Sequence, residues 1–261
     1  MLEISHLTLT YPGGHSPALR DVSLALDREK MVVVGANGSG KSTLLKAALG
    51  LVPVPRGTVH LRDRDVNDIT GDLGITTNLG EVYRLMYVPV GDLIRVYAGL
   101  KGGDPREIEG RFHDFELEET LRHRMHELST GQQKMVGNLL AMSFRPELVL
   151  LDEPFDNVDF TRRRQYVELL QSHDGPLLLN THEFELLRHF SDWDLGFMFE
   201  GQLLGRFRVA DLDRLYVSRG EAPGALAVLR TRLGAFSITR DHGDVPLKGA
   251  TSLNAVMEGI A

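Results

Sequence analysis

Nine consecutive residues, Gly35-Ala36-Asn37-Gly38-Ser39-Gly40-Lys41-Ser42-Thr43, narrow the folds open to this chain more than anything else in it. Ahead of them, Met31 to Val34 is an apolar run rich in β-branched residues, which predicts a buried strand. Behind them, Leu44 to Leu51 has helical character. Strand, glycine-rich turn and helix in that order make a P-loop. Glycines let backbone N–H groups curl around phosphate oxygens, and the helix N-terminus adds partial positive charge. Lys41 reaches the β- and γ-phosphates, and the Ser42 hydroxyl is a ligand for Mg²⁺. A tight turn matching by chance would not bring strand, helix and all the key residue types together.

A second run, Leu148-Val149-Leu150-Leu151-Asp152-Glu153-Pro154, predicts a buried strand that ends in two adjacent carboxylates, as a Walker B element does. Asp152 is suited to hold a water on Mg²⁺. Glu153 is suited to polarise a water for in-line attack on the γ-phosphate, a general-base contribution of about 10² to 10⁴-fold. Taken alone, the pair also reads as an acidic helix cap; the P-loop in the same chain removes that alternative. Leu177 to Leu179 is equally apolar, and both runs end in polar residues, where parallel strands place ligand chemistry.

The remaining pattern is that of an α/β protein. Leu2 to Leu26 alternates around Pro12, Gly13 and Gly14, predicting an antiparallel hairpin region, and Thr58 to Leu61 predicts another strand with a charged tip at Asp63, Arg64 and Asp65. From about Glu81 to Arg145, amphipathic stretches (Val90 to Leu100, Ile108 to Phe115, Gln132 to Phe144) predict an inserted helical subdomain. Trp193 to Phe199 and Gln202 to Phe207 read as a hairpin about Gly201. Beyond Asp211, Phe236 to Thr239 is expected to pair with Val245 to Leu247 before a last helix. His113, His123 and His126 lack metal spacing and read as surface or helix-packing residues, and Arg162, Arg163 and Arg164 as a solvated face.

Between the two nucleotide motifs lies Leu128-Ser129-Thr130-Gly131-Gln132-Gln133. Alone this is a Ser N-cap before an amphipathic helix. In this position it resembles the LSGGQ signature of ATP-binding-cassette (ABC) ATPases, and the resemblance extends over about residues 1 to 207. It implies a P-loop NTPase core with an antiparallel β subdomain and an inserted helical subdomain, forming an ABC ATPase domain over 1–210, with 211–261 as an extension of unknown role. It further implies that Ser129, Thr130, Gly131 and Gln132 receive the γ-phosphate of ATP held by a second chain, so that two copies, or this chain and another ABC ATPase, close head-to-tail on ATP and Mg²⁺. His182, at the end of Leu177 to Thr181, is similar in position to the family's switch histidine. Val158-Asp159 resembles its D-loop. Tyr11 is similar in position to the aromatic that stacks on adenine; without the family it reads as a strand aromatic in the core.

Two departures stand out. Where the family places a glutamine that contacts Mg²⁺, the segment Ile75-Thr76-Thr77-Asn78-Leu79-Gly80 offers Asn78, or one of the two threonines. Thr130 replaces a signature glycine, and with Val96 to Gly102 it makes the chain look more like export-type ATPases. The resemblance implies integral membrane subunits as partners and a place on the inner, cytoplasmic face of the cell membrane; a soluble ABC clamp, for example in cluster assembly, is the alternative. Net charge bears on this choice. With 29 Lys and Arg against 36 Asp and Glu, the chain disfavours non-specific attraction to nucleic acid or to an anionic membrane surface. No apolar run reaches the roughly 18 to 20 residues of a membrane span, the opening MLEISHLTLTY does not read as a signal peptide, and the absence of cysteine excludes disulfides and thiolate chemistry.

Overall fold

A computed structural model describes residues 1–83, 87–231, 234–250 and 255–256. The chain opens with strands β1 (Leu2–Leu9) and β2 (Leu19–Leu26), then β3 (Lys30–Val34) and helix α1 (Lys41–Ala48) on either side of the glycine-rich turn. Next come β4 (Arg56–Leu61), β5 (Arg64–Asp65), β6 (Ile75–Thr77) and helices α2 (Gly80–Tyr83), α3 (Val90–Lys101), α4 (Pro105–Asp114) and α5 (Thr130–Ala141). Strand β7 (Leu148–Asp152), helix α6 (Phe160–Ser172) and β8 (Leu177–Thr181) follow, then β9 (Asp194–Phe199) and β10 (Gln202–Arg208). The last elements are β11 (Leu215–Arg219), β12 (Ala227–Thr231), β13 (Gly234–Arg240) and β14 (Val245–Pro246). Two compact units result, Met1–Ile69 with Asn180–Ala261, and Thr70–Leu179.

In the first unit, β1 alternates as a half-buried strand should: Leu2, Ile4, Leu7 and Leu9 are buried and face Leu26, Leu24, Val22 and Leu19 across the antiparallel pair. This sheet runs β2-β1-β4-β5; its charged tip turns at Arg62 and Asp63, one residue earlier than expected, and Arg64 and Asp65 pair with β4 as β5. Strand β3 has no polar face, since Met31 to Val34 are all buried, and it pairs in parallel with β9. β9 and β10 form the expected hairpin around Glu200 and Gly201, both left-handed (φ 43° and 80°), as a tight two-residue turn requires.

The C-terminal sheet departs from expectation. Val245 pairs with Val217 of β11, not with Phe236 to Thr239, and β13 lies on the other side of β11. The unforeseen strand Leu215–Arg219 stands between β13 and β14, its buried Val217 opposite the buried Ile238 of β13. Of the expected last helix, Ala255 and Val256 are helical, and the rest lies outside the described residues.

In the second unit, β6 and β7 pair in parallel, and α2 to α5 form the expected helical insertion. Local chemistry sets the helix ends. Gly102 stops α3 in a left-handed cap (φ 66°), and the Asp104 carboxylate accepts the Arg106 N–H (2.9 Å) ahead of Pro105. The apolar stripes of these helices bury Ile94, Ile108, Phe112, Val136, Leu139 and Leu140. Among the described residues no helix is long and apolar enough to cross a membrane.

Candidate nucleotide site

The first unit holds the P-loop, Tyr11 and His182. Gly35 leaves β3 by donating its N–H to the Thr181 carbonyl (3.1 Å), which sets the loop beside the end of β8 and hence beside His182. Gly38 and Gly40 are left-handed (φ 79° and 108°), a conformation glycine adopts without steric cost. Space demands glycine at position 40 as well, because a Cβ there would lie 2.6 Å from the Ala18 carbonyl oxygen. From Gly40 the chain enters α1 directly, so no side chain caps that helix end and its first N–H groups face the loop. The Lys41 ammonium folds back onto the carbonyls of Gly35 (2.6 Å) and Ala36 (3.1 Å), which fixes it at the mouth of the loop. The Asn37 and Gly38 backbone is exposed at the tip.

One atom tests whether this cradle suits an anion. The Ser39 Oγ is buried and has no hydrogen-bond partner among the described residues, the condition expected of a hydroxyl whose partner arrives with a ligand. Together with an uncapped helix start and a lysine, it fits a polyphosphate. Ser42 and Thr43 sit in the first turn of α1, and their hydroxyls are hard oxygen donors of the kind Mg²⁺ takes. The Tyr11 hydroxyl meets the Thr43 hydroxyl at 3.3 Å, while its residue remains 41% exposed in the loop after β1. It is therefore not a strand aromatic packed in the core.

In the second unit, Asp152 closes β7 and Glu153 turns the chain with φ 43°. A left-handed glutamate next to a proline costs roughly 1–3 kcal/mol, and such strain concentrates at functional sites. The surroundings that hold it are explicit. The Asn78 amide oxygen accepts the Asp152 N–H (2.7 Å), its amide nitrogen donates to the Asp152 carbonyl (3.1 Å), and Lys134 donates to the same carbonyl (3.0 Å). Asn138 takes up the rest, accepting from Asn78 (2.8 Å) and donating to the Pro154 carbonyl (2.7 Å). The position expected to contact Mg²⁺ thus spends both ends of its amide on the backbone of the Walker B strand and is 4% exposed. Thr76 is likewise committed, donating to the Ala141 carbonyl (2.6 Å), and the Thr77 hydroxyl accepts the Leu79 N–H (3.2 Å).

The signature residues open α5 as a capping box. The Ser129 hydroxyl accepts the Gln132 N–H (3.3 Å), and the Gln132 side-chain oxygen accepts the Ser129 N–H (3.0 Å). The cap and the anion site are compatible, because a serine hydroxyl that accepts one bond still has a hydrogen to donate. Ser129 and Thr130 are exposed, so they are open to a second molecule.

Sequence reasoning passed over Lys134 and Asn138. The signal was a polar residue fully buried inside the apolar stretch Val136 to Ala141 of α5. It also misread the arginine run, for only Arg164 lies on a solvated face. Arg162 donates to the Phe115 carbonyl (2.8 Å), the Glu116 carbonyl (3.0 Å) and the Asp159 carboxylate (2.7 Å), and Arg163 donates to the Val158 carbonyl (2.9 Å). Burial tends to raise the Asp159 pKa, but the Arg162 N–H and guanidinium outweigh it and hold the carboxyl below its ordinary value. His113 and His123 are exposed, each beside a glutamate.

The sequence family described as ABC transporter matches residues 19–156. The taurine import ATP-binding protein TauB of Escherichia coli K12 is 34% identical over 195 residues, covering 71% of this chain and 74% of TauB. A crystal structure assigned as a cobalt transport ATP-binding protein, cbiO-2, superposes with a TM-score of 0.89 at 32% identity over the whole of both chains. A dimeric bacterial ABC transporter cassette superposes with a TM-score of 0.68 at 20% identity, covering 80% of this chain and 99% of that one, a likeness of fold. The export-type likeness drawn from Thr130 and Val96 to Gly102 finds no support in these relatives, since TauB is named for import.

Proposed function

Because the chain belongs to the ABC transporter family, as one of its ATP-binding and ATP-hydrolysing subunits, we propose that it powers uptake through membrane-spanning subunits made as separate polypeptides. The observation that carries the direction is the 34% identity to a taurine importer over 71% of this chain. In this reading, Lys41 and the backbone of Gly35 to Gly40 hold the ATP phosphates, and Tyr11, tethered to Thr43, stacks on the adenine. Ser42 and Asp152 are the residues that would hold Mg²⁺. When bound, Mg²⁺ neutralises charge on the phosphate oxygens. Glu153, presented by its strained turn, takes the proton of the attacking water, and His182 orients that water and the γ-phosphate. Ser129, with the opening amides of α5, receives the γ-phosphate of ATP carried by a second cassette, a copy of this chain or a related one. Asn78 and Asn138 hold the Walker B backbone in place, so the Mg²⁺ contact first considered for Asn78 is not part of the reading.

The subunit would work on the cytoplasmic, inner face of the cell membrane, docked on its partners. The test is purification from native cells in mild detergent, with mass spectrometry of whatever accompanies the chain. A stoichiometric polytopic membrane protein is expected. Recovery of soluble partners alone, with the chain absent from membranes, would replace this reading with a soluble ATP-driven clamp and leave the hydrolytic chemistry in place.

A further inference from the structure

The signature glycine Gly131 has a neighbour inside its own chain. A Cβ built at Gly131 would lie well inside 3.0 Å of the Asn157 carbonyl oxygen, closer than real Cβ atoms approach anything, and 3.3 Å from the carbonyl carbon. Backbone cannot swing aside as a flexible side chain can, so this position has no room for even a methyl group. The loop supplies the other half of the fit. Asn157 is left-handed (φ 57°), and the chain then runs through Val158 to Asp159, whose carboxylate caps α6 by accepting the Arg162 N–H (3.1 Å). The carbonyl it presents meets the positive end of α5, a favourable placement for a partial negative charge.

A cavity of about 210 Å³ lies between the start of α5 and this loop, walled by Ser129, Gln132 and Met135 on one side and by Val158 and Arg162 on the other. Gly131 and Asn157 lie at its edge, where the two segments meet. Past Asn157 the loop is braced, because Arg163 holds the Val158 carbonyl and Arg162 ties Asp159 to the carbonyls of Phe115 and Glu116, so any shift must be taken up at Asn157 itself. The loop and the 115–116 turn are thus tied together, with the Asn157 carbonyl set against Gly131 at the start of α5.

We propose that Gly131 is a positioning residue whose missing side chain seats the Asn157 carbonyl, and that this seat, braced by Arg162, makes the places of the signature turn and of the loop 156–159 depend on each other during ATP hydrolysis. Glycine at position 131 is required by the loop of its own chain. Thr130, where the resemblance expects a second glycine, is tolerated because the tight approach falls at the next residue. The inference rests on the proposed role of the signature in completing an ATP site on a second cassette.

The test is Gly131→Ala in the full chain, alone and combined with Asn157→Gly, which keeps the left-handed backbone accessible while freeing the loop to shift. Steady-state ATPase rate is compared with binding of a fluorescent Mg-ATP analogue to the isolated chain. Gly131→Ala is expected to lower kcat by about 10²-fold, as an ångström-scale displacement of a positioned group does, with analogue affinity unchanged. Asn157→Gly in that background is expected to recover at least tenfold. Wild-type kcat in Gly131→Ala, or a second substitution that only adds a further loss, would overturn the seat. If Gly131→Ala does not fold, Arg162→Gln is read the same way: kcat reduced with affinity kept supports the brace, and unchanged kcat removes it. Ser129→Arg separates the two readings. If it leaves ATP-driven dimerisation intact, the trans role of the signature fails; if dimerisation is lost while Gly131→Ala hydrolyses normally, only the seat fails.

Discussion

At the scale of single residues, the decisive groups are those whose neighbours leave them no second job. Asp152 has its backbone held by three hydrogen bonds from two side chains, Asn78 and Lys134, so its carboxylate is presented at the end of β7 by a scaffold that does not depend on a ligand. Glu153 sits one residue on, in a left-handed backbone conformation that glutamate disfavours. Replacing it with glutamine keeps size and hydrogen bonding but removes the basic oxygen. Glu153→Gln is expected to bind Mg-ATP as the parent does, to hydrolyse it at least 10²-fold more slowly, and to accumulate as an ATP-bound dimer in size-exclusion chromatography. Turnover at the parent rate would take the general base away from Glu153. Asn78 shows how a shorter side chain takes on a structural role: its amide bridges to the neighbouring strand in both directions.

Elements carry a different kind of information, because each end is decided locally and each face globally. The turn between β2 and β3 is an example. Glu29 accepts the backbone N–H groups of Asp27 (2.9 Å) and Arg28 (3.0 Å) and pairs with Arg206 on β10 (3.2 Å). The Asp27 N–H first, then the turn's other N–H groups and Arg206, lower its pKa from 4.5 to about 2. Such a carboxylate stabilises the fold fully above its unfolded-state value, and that contribution is lost as pH falls toward the folded value. Denaturant melts of the parent and Glu29→Gln should therefore differ most above about pH 4.5 and converge toward pH 2. A difference that stays constant with pH would mean the charge plays no part in the turn. The signature is an element-scale feature too. Its capping box was readable from Ser129 and Gln132, but the reason for Gly131 was not, since the carbonyl it admits comes from Asn157, far along the chain.

For the whole molecule, ligand binding and folding are linked. A ligand at 100 times its Kd stabilises the folded state by about 2.7 kcal/mol, which for a chain of this size is a rise in Tm of roughly 5 to 10 °C. Mg-ATP is expected to produce that shift in the parent and none in Lys41→Ala; an equal shift in both would place the nucleotide somewhere other than the P-loop. The sequence by itself determined the P-loop with its flanking strand and helix, the strand ending in Asp152 and Glu153, the helical insertion, and membership of the family, because each rests on short-range periodicity or on chemistry confined to a few neighbouring residues. Tertiary structure alone decided that β11 stands between β13 and β14, that Asn78 and Asn138 clasp the Walker B strand, that Arg162 and Arg163 serve the loop before α6 rather than the solvent, and that Gly131 must be glycine. Each of these depends on which distant backbone groups end up within hydrogen-bonding or contact distance, and a local pattern of residues does not encode that until the chain has packed.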